Sequence, residues 1–417
     1  MSSPGQMNNW AGNVAFGPTR VVTPRDVDEL CAAVASAAAA GERVNTVGTA
    51  HSFSAIADTD GALVSTEHLR RIGPIDEVSG WVTIESGVRF AELGDWLNHR
   101  GWALHNLPSL PHITVAGAAA TATHGSGVRN GNIATAVAAL DLVLADGSLR
   151  RFVDCDPEFS GVVVALGALG VVARLQVRVR PAFDVAQSVW LGAGLAAVLD
   201  RFDDVMSSAY SVSLFTNWQH DVIQQIWVKA TIDDAPFDAS DLGATAAMSD
   251  VHPVGADPAA CTPQGGVSGP SHERLAHFRS GFTPSFGAEL QTEYFVDRRD
   301  AAAAAQAIRS IADRLASVIL ISEIRTIAAD DLWMSTAYGR DSVAFHFTWR
   351  LDPAGVSKVL PLLEDVLESF DPRPHWAKLT AVAPARQLGR YPRADDFIAL
   401  CTALDPNGTF RNRAWQS

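Results

Sequence analysis

The segment Ser109–Gly127, SLPHITVAGAAATATHGSG, constrains this chain more than any other. Its side chains are mostly small, so another group can lie close against the backbone, and its Ser and Thr hydroxyls can hydrogen-bond to that group. The group is either a bound ligand or another part of the chain packed tightly against it. Two nucleotide-binding solutions are excluded. The glycine spacing does not fit GxGxxG and no strand leads straight into a helix here, which rules out a Rossmann turn. No Gly-Lys-Ser/Thr occurs anywhere in the sequence, which rules out a P-loop. Val115–Thr123 is too short and too rich in Ala, Gly and Thr to span a bilayer, and no run elsewhere approaches ~18 uninterrupted apolar residues.

The chain has 417 residues, which allows two or three domains of about 150 residues and a core that needs no staples. Hydrophobic residues make up 47% and charged residues 19%, a globular rather than a disordered composition. The net charge, 32 − 46 = −14, and a pI near 5.2 argue against nucleic acid or an anionic membrane as partner, because both call for a basic surface. Lys229, Lys358 and Lys378 are the only lysines among the 32 basic residues, so each is a candidate for a specific task. Cys31, Cys155, Cys261 and Cys401 form no CxxC pair and suit neither a zinc site nor a dense disulfide framework, so no metal is expected. The N-terminus, MSSPGQMNNW, has no basic n-region and no apolar h-region. The expectation is a protein of the cytoplasm.

Thr23-Pro24-Arg25-Asp26 predicts a helix start, with Thr23 capping and Pro24 at the first helical position, and the helix runs on to Gly41. A short strand, Arg43–Gly48, then enters a loop of small residues that reaches His51-Ser52. Trp81–Glu85 alternates as a strand, and a helix over Phe90–Arg100 ends at Gly101. Asp146-Gly147, between Leu140–Ala145 and Ser148–Val153, predicts a hairpin with a type I′ turn. Val172–Arg180 alternates, with Ala173, Leu175, Val177 and Val179 on one face. Beyond residue 182 the character changes. A polar loop covers Asp250–Ser271, amphipathic helices cover Asp300–Ala316 and Pro353–Phe370, and strands cover Ile319–Ile327 and Ser342–Arg350. Near the end, Asp405–Phe410 forms a turn with an aromatic anchor.

Four places could carry chemistry. In Gly48–Phe53, small residues let the backbone approach a ligand, with His51 beside it; an ordinary turn histidine is the alternative. Ser109–Gly127 is the second. In the two middle strands, residues i and i+2 share a face, so Glu323 joins Arg325 and His346 joins Thr348. Adjacent, they make a polar floor suited to a ligand with several hydroxyls; the alternative is a solvated surface ion pair of Glu323 with Arg325. Arg373–Lys378 brings together His375, Trp376 and Lys378, where an ammonium can stabilise developing charge or simply lie along an ordinary loop.

These segments, with Asn9–Asn13, Leu166–Val172, Ala209–Thr216 and the Asp405–Phe410 turn, resemble the vanillyl-alcohol oxidase family of flavoproteins and, within it, the alditol oxidases. The resemblance implies an α+β fold: an FAD-binding domain formed by residues 1–182 and 377–417, with an α+β substrate-binding cap over 183–376. It implies FAD attached covalently through His51. The FAD would be lined by Thr46, Val47, Gly48, Thr49, Ala50, Ser52 and Ser109, and by Thr114, Gly117, Thr121, Ala122, Thr123, His124, Val172 and His375. The substrate would touch Ser109, Glu323, Arg325, His346, Thr348 and Lys378. Arg325 and Lys378 would favour alkoxide character in the substrate, and the proton would leave by His346 or by a Lys378-linked route. The implied reaction converts the terminal primary hydroxyl of an alditol such as xylitol or sorbitol to an aldose, with O2 reduced to H2O2, in a monomer. An aldonolactone oxidase or dehydrogenase, a flavin enzyme with another electron acceptor, and a binding protein without turnover remain open. Three departures stand out. Thr49-Ala50 replaces a Ser-Gly of relatives, Ala122 replaces a usual glycine, and Pro108, near the reactive edge of the flavin, replaces an alanine. The two alanines add a methyl each, and a small loop adjustment is expected.

Overall fold

The computed structural model describes residues 7–282 and 287–411; the first six residues of the stretch read above for a targeting signal lie outside them. Alternation along Val171–Arg178 sets the first large sheet. Ala173, Leu175 and Val177 are buried while Arg174, Gln176 and Arg178 face outward. This strand is the middle of a five-stranded antiparallel sheet, ordered Ile72–Asp76, Trp81–Glu85, Val171–Arg178, Val137–Val143, Leu149–Val153. A smaller parallel sheet, ordered Arg20–Val22, Ala62–Ser65, Val44–Val47, lies beside it. The helix Val27–Ala39 joins the two by burying Leu30, Val34 and Ala37 in one cluster with Val44, Val64, Val143 and Ala173.

Every strand of the third sheet falls between Asp184 and Pro374. It has nine antiparallel strands, and its centre runs Val222–Ala230, Ser211–Thr216, Ile319–Ile327, Ser342–Arg350, Glu289–Asp297. Period-2 patterning gives it two unlike faces. Ile324, Phe345, Phe347, Trp349, Leu290 and Tyr294 pack in one cluster with Ala304 and Ile308 of the helix Ala301–Ser310 and with Val356 and Leu363 of the helix Pro353–Leu367. The opposite face carries Gln291, Glu293, Glu323, Arg325, His346 and Thr348. The C-terminal turn ties back to the first half. Asp405 accepts from the backbone of Thr409 and Phe410, Phe410 is buried beside Val44, and Val44 N–H donates to Thr409 O at 2.7 Å. No helix among the described residues is long and apolar enough to cross a membrane.

Two local expectations are corrected. The first helix starts at Val27, with Asp26 rather than Thr23 as its cap. Asp26 accepts from Glu29 N–H and the Glu29 carboxylate accepts from Arg25 N–H, both at 2.8 Å, a reciprocal pairing that outcompetes the Thr-Pro signal. The Asp146-Gly147 hairpin forms, but Gly147 alone has positive φ (81°) and Asp146 does not. Leu144 O accepts from Gly147 N–H and Asp146 accepts from Ser148 N–H. The loop is therefore a type I turn followed by a left-handed glycine rather than type I′.

Candidate active site

Backbone geometry places the loop after Val44–Val47. Ala50 takes a left-handed φ of 54° and turns the chain sharply toward His51. Ala122 does the same at 53°. Both alanines stay in the region glycine prefers, at a cost of about 1–2 kcal/mol each. The methyl is borne as strain rather than relieved by leaving that region. The N-terminal segment clamps the loop from outside. Trp10 N–H donates to Ala50 O at 2.7 Å, Asn9 to Ser52 O at 2.8 Å and Asn13 to Phe53 O at 2.9 Å. The Trp10 ring stacks on His51 with centroids 4.4 Å apart.

Between the sheets lies one long cavity. Its lining includes all the residues named for FAD except one: Thr46, Val47, Gly48, Thr49, Ala50, His51, Ser52, Ser109, Thr114, Gly117, Thr121, Thr123, His124, Val172 and His375. Ala122 is the exception, because its methyl is buried in the core with Val115 and Ala118. Gly48 is where two of these loops meet: a Cβ there would stand 2.6 Å from Thr114 Oγ1. Arg325 and Lys378 are the only Arg or Lys in the lining among the described residues. Elsewhere the lining offers an anionic cofactor backbone and hydroxyl groups rather than cations. His51 Nε2 is buried with no hydrogen-bond partner among the described residues, and burial holds the imidazole at about 3. A small-residue cradle with one unpaired imidazole nitrogen fits a flavin dinucleotide.

The polar floor closes the other end. Glu323 and His346 face each other in register across adjacent strands, as do Glu293 and His346 on the other side. Glu293 is the hub. Its carboxylate accepts from Lys378 Nζ at 2.7 Å, Arg325 Nη2 at 2.8 Å and His124 Nε2 at 3.2 Å. Lys378 Nζ also donates to His346 Nδ1 at 2.6 Å, and Arg325 Nη1 donates to Ser109 Oγ at 3.1 Å. Arg325 Nε lies 3.5 Å from Glu323 Oε1. The Glu323–Arg325 pair is thus buried rather than solvated. Thr348 lies 3.1 Å from His346 Nε2. Because Lys378 donates to Nδ1, the proton of neutral His346 sits on Nε2.

Burial opposes charge throughout, and the partners decide the outcome. Burial would raise Glu293, but Lys378, His124 and Arg325 hold it well below the usual carboxylate range. Glu323 is likewise depressed, by Arg325 and His277 against burial. Lys378 is pushed down by burial while Glu293 resists. His346 and His375 lie well below an ordinary imidazole, through burial first and Lys378 second.

Acid sensitivity follows. A histidine whose folded pKa is depressed leaves the unfolded chain with more bound protons below about pH 6.5, so stability falls as pH falls. His277, held at about 4 by burial, contributes between roughly pH 6.5 and 4. The expected slope is about 1.4 kcal/mol per pH unit for each such imidazole. Unfolding midpoints measured from pH 7.5 to 4.5 should drop monotonically, and a flat profile would contradict the neutral assignments.

The structure brings together Ser109, Glu323, Arg325, His346, Thr348 and Lys378. It adds three groups the sequence reading missed: Glu293, Gln291 and His277, all lining the cavity. The segment bearing Lys378 is tied to the His51 loop, since Phe53 N–H donates to Ala377 O at 2.7 Å and Ser54 Oγ to Trp376 O at 2.7 Å.

Comparison with known proteins gives the family and the fold. Residues 18–152 match a family described as FAD binding domain, and residues 282–417 one described as D-arabinono-1,4-lactone oxidase. The chain is 44% identical over 413 residues to alditol oxidase from a Streptomyces species, covering 97% of each. It is 29% identical over 424 residues to L-gulono-1,4-lactone dehydrogenase of Mycobacterium tuberculosis, again covering 97% of each. Among solved structures, the cholesterol oxidase of Brevibacterium sterolicum is similar with a TM-score of 0.79 at 13% identity, covering 98% of this chain and 95% of that one. Fold and matches together define an FAD-dependent oxidoreductase with the α+β architecture of the vanillyl-alcohol oxidase type. Within that class, the chain belongs to the alditol oxidase family.

Proposed function

We propose that this enzyme oxidises the terminal primary hydroxyl of an alditol such as xylitol or sorbitol to the aldose, with oxygen as electron acceptor. The observation that carries this reading is the charge balance of the floor. Two cations, Arg325 and Lys378, and two anions, Glu293 and Glu323, share one buried enclosure with Ser109 and Thr348. Such a site carries no net charge and alternates donors with acceptors, which suits a neutral polyhydroxyl chain. FAD, when bound, accepts two electrons and passes them to oxygen, giving hydrogen peroxide. Arg325 and Lys378 lower the cost of alkoxide character on the reacting hydroxyl. Its proton passes to Lys378 as the lysine hands one of its own to His346 Nδ1, 2.6 Å away. Ser109, Glu323 and Thr348 hold the remaining hydroxyls.

The same reading assigns residues 1–182 and 377–417 to FAD binding and 183–376 to a substrate cap, because the nine-stranded sheet lies wholly within the latter range. Pro108 lines the cavity beside Ser109. It forms a compact, stiff wall that leaves oxygen a path. His51, with its unpaired Nε2, carries the flavin covalently.

The test is a peroxide assay with xylitol, sorbitol, mannitol, glycerol, galactonolactone and a 1-alkanol, alongside acid precipitation. Polyols should give stoichiometric peroxide and bleach the flavin anaerobically. The precipitate should stay yellow, and lose its colour to the supernatant in His51→Ala. Preference for the lactone would favour the aldonolactone reading. Colour in the wild-type supernatant would sink covalent attachment.

A further inference from the structure

Lys229 belongs to neither the flavin cradle nor the cavity wall, yet it is fully buried, 1% exposed, on the strand Val222–Ala230. Its Nζ meets three acceptors: Leu275 O at 2.6 Å, Ala276 O at 3.0 Å and His277 Nδ1 at 3.0 Å. His277 does line the cavity, and its Nε2 lies 2.6 Å from Glu323 Oε1. The imidazole sits among aromatic rings, with Trp227 at 5.1 Å and Phe215 at 5.7 Å between centroids, an environment that favours the neutral form.

We propose that Lys229 is a positioning residue for the polyol site: acting through His277, it fixes the Glu323 carboxylate that receives substrate hydroxyls. This rests on the alditol reading above.

Two constraints fix the imidazole from opposite ends. An ammonium has three donors and no acceptor, and three acceptors surround Nζ, so His277 Nδ1 must be the bare nitrogen. A carboxylate held ionised accepts only, so His277 Nε2 must carry the proton at the other end. Both point to the same tautomer. The resulting relay, Lys229 to Nδ1 and Nε2–H to Oε1, gives the Glu323 carboxylate a single orientation. The hydrogen bond and the ion pairs of that carboxylate with the described residues fall on Oε1, which leaves Oε2 as the acceptor for substrate.

Lys229 acts on the floor by a second path as well. By holding Leu275 O and Ala276 O it anchors the loop whose His277 and Phe278 N–H groups donate to Ser109 O at 3.1 and 3.2 Å. Thr262 Oγ1 also donates to Ala276 O, at 2.7 Å. Burial brings Lys229 down to about 7, with Glu323 opposing the fall.

Two measurements decide it. In wild-type holoenzyme labelled with ¹⁵N-histidine, the His277 resonance, assigned by its loss in His277→Gln, should report a neutral ring protonated on Nε2 at pH 7. A ring protonated on Nδ1, or an imidazolium, overturns the relay. In steady-state kinetics, Lys229→Met should raise KM for xylitol about ten-fold or more, the loss expected for a hydrogen bond to a charged group. Its kcat should stay within about three-fold, and a 1-alkanol should be affected little. Made in a Glu323→Gln background, the same substitution should raise KM by clearly less than it does in the wild type, because the path through Glu323 is already lost and only the one through Ser109 remains. Equal effects in both backgrounds, or kcat falling with KM unchanged, would mean a merely structural lysine. If Lys229→Met fails to fold, His277→Phe, which fills the aromatic box without a donor, reads the same split. Should wild-type enzyme oxidise no polyol, the alditol reading falls, while the tautomer still decides the relay.

Discussion

Lys378→Met is expected to slow flavin bleaching at saturating xylitol by on the order of 10²–10³, the loss typical of one charge-stabilising donor in a buried site. Methionine keeps most of the volume and removes the three N–H donors. The substrate hydroxyl then develops negative charge beside Glu293, whose partner at 2.7 Å is gone. Arg325→Met should act similarly, since it removes the contacts to Glu293, Glu323 and Ser109 together. The measurement is anaerobic stopped-flow reduction, which isolates this step from reaction with oxygen. Thr348→Ala, by contrast, should mainly raise KM, because in the proposed site it meets a hydroxyl that does not react. A near-normal reduction rate in Lys378→Met would remove the lysine from the chemistry.

The second large effect concerns stability. Glu293→Gln keeps the shape of the hub but removes its charge, leaving Lys378 and Arg325 buried with one anion fewer. Breaking one partner of a buried ion pair typically costs about 3–5 kcal/mol. That loss should appear as an earlier denaturant midpoint followed by tryptophan fluorescence. The double variant Glu293→Gln/Lys378→Met should recover a large part of the loss, because the uncompensated ammonium is then gone too. An unchanged midpoint in the single variant would mean that solvent reaches these groups freely.

Much of this site is legible in the sequence, for a definite reason. The strands Ile319–Ile327 and Ser342–Arg350 have the bounds their alternation predicts, and period 2 correctly puts Glu323 with Arg325 and His346 with Thr348. Periodicity gives faces but not register, so the Glu323–His346 pairing could only be observed. Glu293 carried the same signal: Glu289, Gln291 and Glu293 alternate with Leu290, Thr292 and Tyr294. The stretch was missed because it directly follows a glycine- and proline-rich loop, which masks where the strand begins. His277 carried no signal. It lies in an irregular segment and reaches the site through contacts distant in sequence, 48 residues to Lys229 and 46 to Glu323. The turn errors have a local cause, since Asp26-Glu29 and Asp146-Ser148 side-chain bonds override the simpler motifs.

The bonds from Phe53 and Ser54 to Ala377 and Trp376 also bear on how the protein is made. The loop that reaches His51 is synthesised first, and the segment that carries Lys378 and bonds to that loop follows 322 residues later. At about 5–20 residues per second, roughly 16–65 s separate the two on the ribosome. Through that interval the flavin cradle lacks the segment that closes one side of it, and Glu293 and Arg325, once made, wait for their third charged partner. A nascent chain therefore passes through a stage in which the cofactor pocket is largely built but still open, and the charged cluster is complete only once the segment that carries Lys378 has been made.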